Sequence, residues 1–269
     1  FLGTHFFNPP RYLQLLEVIP TPDTDTAIVD RISWFVQVHL GKGTVVPKDV
    51  PGFIGNRIGV FALMQCIHCL GEYCVEEIDA LTGPLLGRPR SATLRTADVV
   101  GLDTLVHIAN FLHDALPQDT QRNTFQIPPS LKALVSRGDV GAKSGAGFYK
   151  KEGSEIRSID PMSYNYSAPS EMDLGDLSAL LKLKDLSERL RTLYKAPGRA
   201  GDFFRKHLLQ VLSYCLHSVP EITEDTEDID RAMRWGFGWE AGPFEMWSAI
   251  GYHTVLKDLR EQDQPLPPW

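Results

Sequence analysis

The chain has 269 residues and a formal net charge of −7, with 43% hydrophobic and 23% charged residues. This length suits one large domain or two ordinary ones, and the composition is that of a soluble globular protein. The negative charge argues against general binding to nucleic acid or anionic membranes, and no apolar run reaches the roughly 20 residues that a membrane-spanning helix needs.

The cysteines bear on compartment and metal binding. Four cysteines without a secretory signal predict free thiols in a reducing compartment, so we expect a cytoplasmic protein. Three of them lie in the run from Cys66 to Cys74 together with His68, a spacing that zinc could use. The surrounding segment is apolar and helical in character, so we expect Cys66 and Cys69 to be core residues and predict no metal.

Two short strands are predicted at the start of the chain, over residues 1–10 and 15–21, joined by an Asn-Pro-Pro turn. They place His5 on one strand and Glu17 on the other. A carboxylate beside an imidazole fixes its tautomer and favours its protonated form, so the two can act as a general base and its orienting group. On spacing alone the alternative stays open that His5 ends a strand and Glu17 is a solvated edge charge.

The chain then continues as a small α/β unit. Capping residues at 22–26 and Gly41 bound a predicted helix, and a β-branched strand follows at 43–47. Residues 1–47 therefore give strand, strand, helix and strand, too few elements to close a sheet around its own core.

From residue 51 onward the pattern is helical. A proline and a glycine break the strand, and an apolar helix is expected over 53–71, followed by shorter helices. The glycine-rich run 138–149 lacks the Gly-x-Gly-x-x-Gly pattern, so we expect a structural turn there and not a phosphate cradle. Residues 151–172 are polar and without periodicity, which predicts a linker.

The helical part after residue 173 resembles the first helical part. Glu77-Ile-Asp-Ala has a counterpart in Asp228-Ile-Asp-Arg, and subtracting 77 from 228 gives an offset of 151. We interpret this as an internal duplication. The second copy is interpreted as structural, because Lys206 stands at the position nearest to Asn56 and no His/Glu strand pair precedes it.

Three motifs in order carry a resemblance to a known family: His5-Phe-Phe-Asn-Pro, Glu17 twelve residues later, and Lys48-Asp-x-Pro-Gly-Phe-Ile-x-Asn-Arg57. Together they resemble the 3-hydroxyacyl-CoA dehydrogenase family of fatty-acid β-oxidation, and the resemblance covers essentially the whole chain. The second helical part is similar to the duplicated domain of long bacterial members, in particular those fused to an enoyl-CoA hydratase.

The resemblance implies a mainly α fold. It consists of two repeated helical domains of the family's C-terminal type, similar to the C-terminal domain of 6-phosphogluconate dehydrogenase, after a short α/β remnant of a Rossmann domain. The expected division is a Rossmann remnant at 1–50, a first helical substrate and dimerisation domain at 51–150, a linker at 151–172 and a degenerate repeat at 173–269.

The resemblance also implies chemistry: NAD as the oxidant and (S)-3-hydroxyacyl-CoA as the substrate. Carried over by position, His5 is the catalytic base and Glu17 its carboxylate partner. Asn56 and Asn8 are expected to contact the substrate, and Lys48 the cofactor. A histidine of this kind removes the hydroxyl proton while hydride leaves the carbon, and an amide at Asn56 can donate to the developing carbonyl oxygen.

The chain departs from the family in lacking the Gly-x-Gly-x-x-Gly turn that holds the cofactor pyrophosphate. Because it starts at Phe1 without Met, we expect a fragment that binds NAD poorly and is inactive alone. Expected partners are the missing Rossmann segment, a downstream hydratase domain and a second copy in a homodimer. One alternative is a non-catalytic helical module for dimerisation or docking in a multifunctional β-oxidation protein. Another is a different hydroxy-acid dehydrogenase, which the pairing of His5 with Glu17 disfavours.

Overall fold

The computed structural model describes residues 1–262 and 266–267; the end of the predicted second repeat, residues 263–265 and 268–269, lies outside the described residues. The described part is mainly helical, as predicted. Its strands and α-helices, in chain order, are β1 (Leu2–Phe6), β2 (Leu15–Pro20), α1 (Thr26–Leu40), β3 (Gly43–Val45), α2 (Gly55–Ile67), α3 (Val75–Thr82), α4 (Leu94–Val100), α5 (Leu102–Ala115), α6 (Pro129–Arg137), β4 (Tyr149–Glu152), β5 (Glu155–Ile159), β6 (Tyr166–Ser167), α7 (Ser178–Lys182), α8 (Leu186–Lys195), α9 (Arg199–Ile222), α10 (Thr226–Phe237), α11 (Pro243–Ile250) and α12 (Tyr252–Glu261).

The chain forms two compact units. Unit 1 contains Phe1–Gly59 and Leu208–Trp269, and unit 2 contains Val60–His207. Unit 1 therefore joins the first strands to the last helices, a grouping by contacts that differs from the sequence divisions predicted above. Among the described helices, none is both long enough and apolar enough to cross a membrane.

Unit 1 contains a three-stranded sheet in the order β1-β2-β3. Strand β1 runs antiparallel to β2, and β2 runs parallel to β3, with helix α1 making the crossover. Leu16 and Val18 of β2 pack with Val36 of α1 in a buried apolar cluster. The sheet thus buries one face against α1, which fixes the register of β1 and β2.

Helix α1 begins and ends at the predicted signals. Asp25 caps its start, accepting a hydrogen bond of 2.9 Å from the backbone N–H of Ala27. Gly41 ends it in the left-handed conformation, with a φ of 62° that favours glycine.

In unit 1, two glycines allow aromatic rings, one of them on helix α10, to pack directly against the backbone. A Cβ on Gly43 of β3 would lie 2.5 Å from the ring of Trp235, and a Cβ on Gly55 would lie 2.2 Å from the ring of Phe7. Both glycines are therefore required for space. The ring of Phe7, against the first turn of α2, also meets the ring of Phe237 at 5.8 Å between centroids.

In unit 2 the glycine-rich run 138–149 is the structural turn that was predicted. The Asp98 carboxylate accepts the backbone N–H groups of Phe148 and Tyr149 at 2.8 and 2.9 Å. A Cβ on Gly147 would lie 2.0 Å from that carboxylate, so the glycine leaves room for it. Phe148 is completely buried, and the run closes onto the helical unit.

The segment 151–172, predicted as a linker, contains regular local structure. Strands β4 and β5 form a hairpin around Gly153, and β6 pairs with β5, giving a second three-stranded sheet. Charged residues and Ile156 are exposed together on β4 and β5, so these strands show no alternation of apolar and polar side chains. Ser158 and Ile159 supply the buried side of β5. Short strands of this kind carry little periodic signal.

Candidate functional site

The first two strands bring His5 and Glu17 together. In the antiparallel register of β1 and β2, His5 lies directly opposite Glu17, so both side chains stand on one face of the sheet. The Nδ1 atom of His5 lies 2.6 Å from Oε2 of Glu17. This distance is that of a charge-assisted hydrogen bond, in which the imidazole N–H donates to the carboxylate.

The carboxylate of Glu17 is fixed from its other side as well. Its Oε1 atom accepts the backbone N–H groups of Ile54 and Gly55, at 3.0 and 2.8 Å. These groups lie at the start of helix α2, where backbone donors have no partner inside the helix. Glu17 is completely buried, and its three polar contacts satisfy the charge that burial would otherwise make costly.

Sequence reasoning missed this second set of contacts. Residues 50–54, which precede α2, contain no Ser, Thr, Asp or Asn that could cap the helix from nearby. That gap was a signal that a distant side chain caps α2, although it did not identify Glu17.

The imidazole of His5 is held between two aromatic rings while part of it stays accessible. Its centroid lies 4.7 Å from that of Phe7 and 5.9 Å from that of Phe53. The side chain is 30% exposed, and among the described residues no group bonds its Nε2 atom. With Nδ1 directed at Glu17, Nε2 is the nitrogen that can exchange a proton with a bound molecule.

The two predicted substrate-binding amides occupy different settings. Asn56 lies in the first turn of α2, immediately after Gly55, and within the described chain its side-chain amide has no hydrogen-bond partner. Asn8 is exposed in the turn after β1, before Pro9. Asn56 is therefore next to the group that holds Glu17, while Asn8 follows the strand that carries His5.

Lys48, predicted to bind the cofactor, contacts the end of helix α9. Its Nζ donates to the carbonyl of Pro220 at 3.0 Å and pairs with Glu224 at 3.0 Å. Its backbone N–H donates to the carbonyl of Ile222 at 2.9 Å. These contacts tie Lys48 to α9 and do not bring its ammonium to the pair of His5 and Glu17.

A second polar cluster lies buried in unit 2 around His207. Its Nδ1 contacts Oε1 of Gln65 and lies 3.5 Å from the sulfur of Cys66, while its Nε2 lies 3.0 Å from Nη2 of Arg88. Burial, reinforced by Arg88, lowers the pKa of His207 well below its usual value. Burial also raises the pKa of Cys66 to about 12, so this thiol stays protonated and is no nucleophile.

The start of helix α1 offers no cradle for a dinucleotide pyrophosphate. The strand–helix–strand crossover from β2 through α1 to β3 is of the kind that binds phosphate at a helix start. Here, however, Asp23 and Asp25 stand before α1, and Asp25 already caps it. Two carboxylates would repel a phosphate group, so these residues do not fit that part of NAD.

Two family models match most of the chain but not residues 152–202. A model described as the 3-hydroxyacyl-CoA dehydrogenase, C-terminal domain matches residues 52–151 and 203–266, which together are more than half of the chain. A model described as the 3-hydroxyacyl-CoA dehydrogenase, NAD binding domain matches residues 1–50.

Individual relatives agree with these matches. A probable 3-hydroxyacyl-CoA dehydrogenase of Bacillus subtilis (strain 168) is 44% identical over 100% of this chain and 34% of its own length. The human mitochondrial hydroxyacyl-coenzyme A dehydrogenase is 39% identical over 56% of the chain and 47% of its own length. The chain thus spans about a third to a half of these relatives.

A solved structure supports the fold. The crystal structure of 3-hydroxybutyryl-CoA dehydrogenase from Escherichia coli K12 matches 98% of the chain and 67% of its own chain, with a TM-score of 0.70 and 21% identity. These comparisons do not test the prediction that the chain is inactive alone, since the Bacillus relative aligns with it from end to end over only 34% of its own length.

Proposed function

Because the chain belongs to the 3-hydroxyacyl-CoA dehydrogenase family, we propose that it serves the NAD-dependent oxidation of (S)-3-hydroxyacyl-CoA to 3-ketoacyl-CoA. The observation that carries the proposal is the hydrogen bond of 2.6 Å between His5 Nδ1 and Glu17 Oε2, which leaves Nε2 as the free nitrogen of an accessible imidazole. An acid–base group poised in this way suits the removal of a hydroxyl proton.

The proton transfer is assigned to His5. The substrate hydroxyl gives its proton to Nε2 as the carbon–hydrogen bond breaks and the carbonyl forms, and Glu17 stabilises the resulting imidazolium. Asn56, whose amide is unpaired within the described chain, donates a hydrogen bond to the developing carbonyl oxygen. Asn8 is proposed to contact the substrate beside it.

NAD, when bound, is the hydride acceptor in this chemistry. No described residue is assigned to its pyrophosphate, because the carboxylates of Asp23 and Asp25 before α1 would repel it. The contact of Lys48 with NAD stays a prediction; in the structure its ammonium contacts Pro220 and Glu224.

The test is a spectrophotometric assay of NADH formation by the whole chain with NAD and (S)-3-hydroxybutyryl-CoA. We expect His5→Gln to lower kcat by about 10²-fold or more, the range of a lost general base. His39→Gln, on the exposed side of α1 in the same unit, is the matched control and keeps wild-type turnover. Calorimetric titration with acetoacetyl-CoA gives a readout that needs no turnover. Equal turnover of His5→Gln and wild type contradicts the proposal, as does a chain that neither binds the ketone nor forms NADH.

We also propose that residues 203–266 duplicate residues 52–151. One family model matches both segments, which supports this reading. In the first, Asp79 accepts the N–H groups of residues 14 and 15 places later, at the start of α4. In the second, Asp230 accepts those of residues 14 and 15 places later, at the start of α11. Equivalent glycines, Gly101 and Gly251, then separate the last two helices with φ of 101° and 125°.

A second candidate function is self-association, favoured by an apolar stripe on α1. Ile28, Trp34, Phe35 and Val38 lie on one side of this helix and are each about half exposed. We propose that a second copy covers this stripe. Light scattering coupled to size-exclusion chromatography measures the mass in solution. The double change Trp34→Glu with Val38→Glu should convert a dimer into a monomer. A wild-type chain that is monomeric at all concentrations contradicts the proposed self-association.

A further inference from the structure

The turn before helix α2 has a backbone shape that needs outside support. It carries the N–H groups of Ile54 and Gly55 that hold Glu17. Within it, Gly52 has a φ of 80° and Phe53 a φ of 48°. A phenylalanine in the left-handed region costs on the order of 1 kcal/mol or more, so surrounding contacts must hold the turn in this form.

Arg57, in the first turn of α2, supplies one such contact. The residue is 2% exposed. Its Nε donates to the hydroxyl of Tyr214 at 2.5 Å, and its Nη1 and Nη2 donate to the two carboxylate oxygens of Glu221 at 3.3 and 3.0 Å. Nη1 also lies 3.5 Å from the carbonyl oxygen of Pro51, and the backbone N–H of Arg57 donates to Gly52 at 3.1 Å.

The other end of the same turn is tied to the same helix. Lys48 donates from its backbone N–H to the carbonyl of Ile222 and from its side chain to the carbonyl of Pro220. On α9, Glu221 lies between these two residues, and Tyr214 lies about two turns before them. The segment 48–57 therefore spans between two attachments on the C-terminal end of α9, all within unit 1.

The attachment at Arg57 does more than add stability. The ion pair of Arg57 with Glu221 gains little net free energy, because the buried guanidinium loses its hydration while Glu221 stays 46% exposed, where water weakens the attraction. The planar guanidinium instead fixes directions, because its Nε bonds Tyr214 while its Nη1 and Nη2 bond Glu221. The direction of the backbone N–H groups of Ile54 and Gly55, which bond Glu17, depends on this attachment.

We infer that Arg57, held by Tyr214 and Glu221, is a positioning residue for the pair of His5 and Glu17, and that the C-terminal end of α9 supports the proposed catalytic site. This inference rests on the proposed function. The second matched segment, which contains Tyr214 and Glu221, then serves the chemistry and not only the architecture.

The test compares Arg57→Lys, Tyr214→Phe and Glu221→Gln with wild type in the whole chain. Arg57→Lys keeps the positive charge and loses the fork, while the other two each remove one acceptor. We expect faster amide hydrogen exchange at Ile54 and Gly55, and weakening of the downfield NMR signal of the His5 Nδ1 proton, which Glu17→Gln identifies by its loss. In the NADH assay kcat should fall by about tenfold with KM unchanged, as expected for a small misplacement of a reacting group.

The matched control is Glu227→Gln, which removes an exposed ion pair to Arg231 on α10 in the same unit. It should leave the exchange of Ile54 and Gly55, the His5 signal and kcat as in wild type. Tyr214→Phe changes a single oxygen atom, so it keeps the test open if Arg57→Lys does not fold.

The two proposals fail in different ways. If the variants turn over substrate like wild type and the signals of Ile54, Gly55 and His5 are unchanged, the positioning role of Arg57 is overturned while the dehydrogenase function stands. If the signals change in the variants but wild type itself shows no turnover and no acyl-CoA binding, the positioning contact stands and the proposed function falls.

Discussion

Glu17 and Asp79 use the same device with different results. Each is a carboxylate that caps the start of a helix distant in sequence: Glu17 accepts N–H groups at the start of α2, and Asp79 accepts those of Thr93, Leu94 and Arg95 at the start of α4. Both therefore satisfy backbone donors that the helix cannot satisfy itself. As capping groups alone, the two residues are equivalent.

The difference lies in the remaining partner of each carboxylate. Glu17 holds the imidazole of His5, which is 30% exposed. Asp79 holds the hydroxyl of Tyr149 at 2.8 Å, and burial, together with the nearby charge of Asp79, raises the pKa of that phenol above its usual value. An imidazole exchanges protons near neutral pH and a buried phenol does not. A buried carboxylate thus becomes a candidate for catalysis only through the group it orients.

The change Glu17→Gln is the strongest test of this difference between Glu17 and Asp79. Glutamine keeps one carbonyl oxygen for the N–H groups of α2, but its amide places a donor where Nδ1 of His5 needs an acceptor. The imidazole then turns to the wrong tautomer, so we expect kcat in the NADH assay to fall by about 10²-fold or more.

Folding of Glu17→Gln is followed by urea unfolding in parallel, and His39→Gln serves as the control for an uninvolved change in unit 1. Wild-type turnover in a folded Glu17→Gln protein would show that the carboxylate is only a cap, like Asp79.

The reciprocal change is Asp79→Asn in unit 2. It puts an amide donor against the N–H of Arg95 or the hydroxyl of Tyr149, leaving buried groups without an acceptor. We expect the free energy of unfolding to fall by about 1–3 kcal/mol, the cost of an unsatisfied buried group, while kcat stays at the wild-type value.

Urea unfolding measures this loss, with the exposed Asp114→Asn as the matched control for removing a charge from unit 2. A selective loss of kcat in Asp79→Asn at unchanged stability would erase the distinction between the two carboxylates.

The opening strands show what the sequence made predictable. The pairing of His5 with Glu17 follows from local signals, because the Asn-Pro-Pro turn and two apolar runs place residues 12 apart on facing strands. The caps of α1 were equally local, since Asp25 and Gly41 act within one turn of the helix that they bound.

The contacts that fix the site could not be predicted, because they join residues far apart in the chain. Glu17 is 37 and 38 residues from Ile54 and Gly55, and Arg57 is 164 residues from Glu221. None of these contacts leaves a periodic or motif signal in the sequence, because each depends on how the elements pack. The cofactor role expected for Lys48 came from resemblance alone and stays a prediction; packing brings its ammonium to Pro220 near the end of α9 and to Glu224 just beyond it.

The last expected effect concerns the charge of a capping carboxylate, Asp230 of helix α10. Burial raises the pKa of Asp230 to about 7, with Glu245 adding to the effect and the N–H of Phe244 opposing it. The folded state then binds its proton more tightly than the unfolded state, in which an aspartate titrates near about 3.9. Stability contributed by this proton is complete at low pH and is lost as pH rises from about 4 to about 7.

His207 in unit 2 acts with the opposite sign. Its pKa is lowered by burial and by Arg88, so the unfolded state takes up a proton first, and stability falls as pH drops below the ordinary histidine value of about 6.5. Urea unfolding of wild type and Asp230→Asn at several pH values between 4 and 7 separates the two, because only the asparagine variant lacks the aspartate contribution. We expect its free energy of unfolding to gain, relative to wild type, at most about 1.4 kcal/mol per pH unit as pH rises. Parallel pH curves would mean that Asp230 is ionised in the folded protein, as an ion held by its helix N–H groups, and would place it with Glu17 as a charged cap.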